Sequence, residues 1–142
     1  MATDYLETVL SVLETNWNNS NTDSITPDFF RSDERKTIGG LTSNKTQVSV
    51  YDPSNETENP ISLGYNYVDR IQPVSIDLRT THSRSHAVNA VEEIKRIIHL
   101  KRKTATGWDI MKWNGGRFVE NYPGYWHYVV EIQLIKYGEL LT

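Results

Sequence analysis

The chain has 142 residues, 37% of them hydrophobic and 23% charged, with a net charge of −3 and no cysteine. Such a length fits one domain able to bury a core without covalent staples, and the missing thiols exclude disulfides, thiolate metal sites and a cysteine nucleophile. The charge balance is not that of a dedicated DNA-binding domain, no apolar run reaches the length of a membrane span, and "MATDYLETVLSVLE" lacks the basic start and apolar core of a signal peptide, so folding in a cytoplasm is expected.

Charge is spread unevenly. Residues 1–60 carry ten acids and four bases, whereas residues 61–142 carry eight acids and eleven bases, which predicts two differently charged surfaces.

In chain order, residues 3–16 predict an amphipathic helix: Leu6, Val9, Leu10, Leu13 and Trp17 follow three-and-four spacing, with Thr3 or Asp4 as cap. "NWNNSNTDS" ends it, because its side chains compete for backbone hydrogen bonds. Residues 18–45 read as a long polar connection interrupted by "ITPDFF", the length of a functional or partner-ordered loop. Alternation then predicts strands at 46–52, 61–69 and 72–78, with an acidic hairpin tip at 52–60. A second helix is expected over 84–102, striped by Ala87, Val91, Ile94 and Ile98 and capped by Ser83 or Ser85. Lys101, Arg102 and Lys103 load its last turn, where the helix dipole favours cations. Beyond it, "WDIMKW", the hairpin signal "NGG" and "RFVEN" predict two strands. After "YPG" a third follows, with Trp126, Tyr128, Val130, Ile132 and Leu134 on one face. The expected fold is α+β: a single domain over 1–142, in the order α-β-β-β-α-β-β-β, its mostly antiparallel sheet carrying two helices packed on one face.

Most of the suggestive chemistry lies in residues 76–103, "IDLRTTHSRSHAVNAVEEIKRIIHLKRK". Asp77 with Glu93-Ile94-Lys95 has the letters of a metal-dependent nuclease, but that geometry needs Glu-x-Lys on a strand beside the Asp. In a helix two positions fall on different faces, so Glu93 and Lys95 are expected as exposed charges. His82 and His86 have a spacing that lets two imidazoles share a metal, with Asp77 a possible third ligand. The acid of a protease motif is absent, however, and surface or capping histidines are the simpler reading. No nucleophile elbow or phosphate loop is present, so no catalytic, cofactor-binding or metal-binding residue is assigned. The basic run can face an acidic neighbour or DNA, or serve only as a solvated helix end. Rings are dense after residue 107, more than one small sheet face hides, which places some of them in a subunit contact.

The whole layout resembles a tail terminator (tail-completion) protein of a tailed bacteriophage or related virus. The resemblance rests on the N-terminal helix "DYLETVLSVLETNW" before a long loop, on "VSIDLRTT" feeding directly into "SHAVNAVEEIKRIIHLKRK", and on the aromatic hairpin with the last strand "WHYVVEIQLIKY". It implies a non-enzymatic virion protein without cofactor, made in the host cytoplasm. A homo-oligomeric ring, usually of six, would cap the tail tube and join it to the head-neck connector, with DNA passing through. The sheet would lie at subunit contacts, the helices outside, and the loop 18–45 and tip 52–60 would be arms ordered by neighbours. Asp77, Arg79, Lys101, Arg102, Lys103, Trp113 and Trp126 are then the expected assembly contacts, and charge reversal at Arg79 or at 101–103 should impair assembly while leaving the monomer folded. The alternatives are another neck component such as a head-closure protein, or a small nuclease or nucleic-acid-binding module.

Overall fold

Along three strands every second residue is aliphatic, and that alternation builds the core. The computed structural model describes residues 4–31, 45–53, 56–60, 67–105, 107–119 and 125–140. The elements are α1 (Tyr5–Asn16), a 3-10 turn (Asn19–Asn21), β1 (Asp28–Arg31), β2 (Thr46–Tyr51), β3 (Thr57–Pro60), β4 (Tyr67–Thr80), α2 (Arg84–Leu100), β5 (Ile110–Phe118) and β6 (Trp126–Leu140). The sheet runs β1-β2-β4-β6-β5, with β3 also on β4. Among the described strands only β1 and β2 pair in parallel. This is the expected α+β fold with both helices on one sheet face.

Val48 and Val50 of β2, Val74, Ile76 and Leu78 of β4, and Val130, Ile132 and Leu134 of β6 are fully buried. Against them pack Val9, Leu10 and Leu13 of α1 and Ala87, Ala90, Val91, Ile94, Ile97 and Ile98 of α2. Each large aliphatic among them contributes about 1.5–3 kcal/mol by leaving water. α1 covers the β1–β2 end, and α2 covers β4, β6 and β5. Both helices begin on side-chain caps: Asp4 accepts from the Leu6 N–H at 2.9 Å and Ser83 from the His86 N–H at 3.0 Å.

The strand inventory differs from the expectation in three places. "NGG" makes no hairpin. β5 runs straight through it, pairing with β6 from Ile110↔Ile135 to Phe118↔Tyr128, and takes up the one extra residue as a bulge between Trp113 and Gly116. Gly115 supplies the positive φ of 99° that the bulge needs. Fifteen-residue β6 is long enough to partner both halves, so the same Asn-Gly chemistry is used within a strand. The second difference is that Tyr67–Thr80 is one strand, so the break expected between 69 and 72 is absent; residues 61–66 lie outside the described residues. Third, two segments read as connection contain strand: β1 falls inside 18–45, and β3 inside 52–60. Residues 32–44 and 54–55 lie outside the described residues. The order among the described residues is therefore α-β-β-β-β-α-β-β.

Candidate functional site

The alternation that puts Ile76 and Leu78 under the helices puts Ser75, Asp77 and Arg79 on the other sheet face. Register aligns them with Tyr51, Ser49 and Gln47 of β2 and with Glu131, Val129 and His127 of β6. The second face of an antiparallel sheet is commonly solvated. Here Ser49, Ser75, Asp77, Arg79 and Gln47 are each more than nine-tenths buried. Arg79 Nη2 donates to Asp77 Oδ2 at 3.2 Å, and His127 Nε2 stands 3.5 Å from Asp77 Oδ1. Among the described residues, Gln47 Oε1, Asp77 Oδ1, Arg79 Nε and His127 Nε2 have no hydrogen-bond partner. A buried charged set left short of partners is costly, and it is the least satisfied polar surface described in the fold. Beside it, Tyr51, Pro53, Gly115, Arg117, His127 and Glu131 help line an open concavity of about 460 Å³.

Glu93 is not an exposed helix charge. It is 2% exposed, on the helix side of the sheet. It accepts from Arg96 Nε at 2.6 Å and Nη2 at 2.8 Å, from the Asn18 N–H at 2.6 Å and from Asn21 Nδ2 at 2.9 Å. Burial would raise its pKa, but these donors outweigh burial and hold the carboxyl below the usual range. The same pairing raises the Arg96 guanidinium. The carboxylate thus fastens the turn after α1 to α2. Lys95, by contrast, is exposed, its Nζ 5.8 Å from the Trp113 ring centroid. Asp77 and Glu93 lie on opposite sides of the sheet, so the trio with the nuclease letters does not converge.

The His82 and His86 rings touch edge to face at 5.0 Å, but His86 is a buried network residue, neither at the surface nor a cap. Its Nδ1 lies 2.9 Å from Asp23 Oδ2 and its Nε2 2.9 Å from Thr46 Oγ1, which in turn meets Thr80 Oγ1 at 2.9 Å. Both ring nitrogens are therefore engaged, leaving no lone pair directed at an ion. The His86 and Asn89 hydrogen bonds hold the Asp23 carboxyl below its ordinary range. Among the described residues no group of three His, Cys, Asp or Glu side chains is arranged to hold a metal.

The remaining expected contacts fall elsewhere. Lys101 is half-buried and Arg102 and Lys103 exposed at the end of α2, where the Met111 N–H donates to the Arg102 carbonyl at 2.6 Å and fixes this basic turn to β5. Trp113 and Trp126 are half-buried against the core on the helix side. The structure thus brings Asp77 and Arg79 together and leaves the basic turn and both tryptophans apart from them. Gln47 and His127 escaped the sequence reading. Strand parity from Asp77 and Arg79 could have found them only once the pairing of β2, β4 and β6 was known.

No family model matches the chain and no curated protein matches its sequence. Among solved structures, a chain in the virion of a native gene transfer agent particle shares the fold with a TM-score of 0.61. The match spans 93% of this chain and 94% of that one at 5% identity. A crystal structure from Akkermansia muciniphila covers 70% of this chain and 45% of its own at 13% identity, with a TM-score of 0.34, too low to equate two folds. What is shared with the virion chain is the fold, over almost the full length of both.

Proposed function

We propose that this chain is a structural protein of a phage-like virion, working without cofactor or catalysis as a homo-oligomeric closed ring of six copies that terminates the tail tube and joins it to the head-neck. The observation that carries this reading is the near end-to-end correspondence of fold with a chain of a gene transfer agent virion. The layout resemblance to tail terminators points to the same kind of particle. Its partners would be further copies of itself, the tail tube protein, the head-neck connector and DNA passing through the ring; its place would be the tail and neck of the virion.

The test is electron microscopy of particles made without this chain. A tail terminator leaves tubes that overrun their normal length and stay unjoined to heads. Tails of normal length beside unjoined heads would assign the chain to head closure instead, and normal complete particles would overturn the reading.

A further inference from the structure

The two ends of the sheet carry opposite charge. β1 and β5 end the main strand path, with α1 packed over the β1 end and α2 over the β5 end. At the first end, residues 4–31 contain five acids, Asp4, Glu7, Glu14, Asp23 and Asp28, against the single base Arg31. Arg31 is already spent on Asp4 at 2.7 Å and Glu7 at 3.3 Å, while Glu14 and Asp28 are exposed and form no ion pair among the described residues. At the other end, residues 92–119 contain seven bases and three acids. Of those acids, Glu93 is buried against Arg96 and Asp109 accepts from the Tyr137 N–H at 2.7 Å. Lys103, Lys112 and Arg117 are exposed there without an ion pair among the described residues.

We infer that the acidic α1–β1 end of one copy docks on the basic α2–β5 end of the next, each subunit using two different surfaces. A two-fold dimer would set like ends together; complementary ends on one subunit give head-to-tail contacts, which close into a ring when the rotation per subunit permits. Opposite fields at the two ends also steer the encounter and reject wrong registers. A polyanion such as DNA would match the basic end alone and leave the acidic end without a role. The inference rests on the ring reading and specifies its contacts.

The experiment uses charge-swapped full-length chains followed by native mass spectrometry. Lys101→Glu with Arg102→Glu and Lys103→Glu makes both ends acidic; Glu7→Lys with Glu14→Lys and Asp28→Lys makes both ends basic, leaving two acids against four bases over residues 4–31. Each chain alone should associate at least about tenfold more weakly than the wild type. Mixed, they should form complexes with equal numbers of each, and a chain with all six substitutions should self-associate again. Circular dichroism checks folding; should the glutamates at the helix end unfold the chain, the same three positions changed to Gln should still weaken association. Swapped chains that assemble alone as the wild type does, or a mixture that forms no joint complex, would overturn the inference while leaving a wild-type ring intact. A wild type that never forms rings would contradict the ring reading instead, and the mixture would still report on the two ends. Tight binding of a short DNA duplex by a non-associating wild type, lost with the three Glu substitutions, would give the basic end to nucleic acid and overturn the inference.

Discussion

Asp77 and Arg79, two residues apart on β4, meet at 3.2 Å on the sheet face away from the helices, and each is more than nine-tenths buried. Their burial changes what substitution there does. Arg79→Glu sets two buried carboxylates together, so it should destabilise the monomer itself by about 3–5 kcal/mol or more, as removal of one partner from a buried pair does. Asp77→Asn combined with Arg79→Met should recover most of that loss. Urea unfolding of the two variants beside the wild type measures it, and an unchanged midpoint for Arg79→Glu would show that the pair is not buried in solution. Reversal at Arg79 is accordingly a stability variant; it cannot serve as the assembly-only variant suggested by the sequence.

Glu93→Gln should cost about 1.5–3 kcal/mol, the range for hydrogen bonds to a charged group. It leaves the Arg96 guanidinium without its carboxylate and weakens the hold on Asn18 and Asn21. Guanidinium unfolding gives the number. A loss under half of that would place the turn's anchorage elsewhere.

The same carboxylate sets an acid limit. Glu93 and Asp23 both titrate below their ordinary ranges in the folded chain. Their contribution is therefore present above the unfolded carboxyl values near about pH 4 and is lost as pH falls through the lower folded values. Stability should drop with acidification below about pH 4, less steeply in Glu93→Gln. Parallel pH profiles for the variant and the wild type would contradict this origin.

Gly116→Ala should destabilise by about 1–3 kcal/mol. A Cβ there would come within 2.6 Å of Tyr128 Cε1 and 2.9 Å of the Val129 carbonyl oxygen. Gly115→Ala meets no atom but must hold φ at 99°, so its penalty, about 1 kcal/mol, is purely one of backbone conformation. Denaturation midpoints should rank the two in that order; the reverse ranking would mean that the bulge relaxes.

Much of the fold was legible because its signals are local. The spacing of Leu6, Val9, Leu10 and Leu13, the alternation of Val74, Ile76 and Leu78, and the caps Asp4 and Ser83 each depend on near neighbours in sequence. What the sequence hid depends on partners far along the chain. Glu93 reads as a surface charge until the turn after α1 arrives 75 residues away to meet it. His86 reads as a capping or surface residue until Thr46 and Asp23 close on its two nitrogens. "NGG" can turn a hairpin or bulge a strand, and the length of β6 decides which. Of the candidate site, Asp77 and Arg79 were visible through strand parity, while Gln47 and His127 required the pairing of three strands.

The most direct test of the central claim is native mass spectrometry of the wild-type protein across a concentration series, with negative-stain imaging of any complex. A closed ring, six copies by the terminator resemblance, is the expected result. A chain that stays monomeric at every concentration, or that stops at a two-fold dimer, would contradict it.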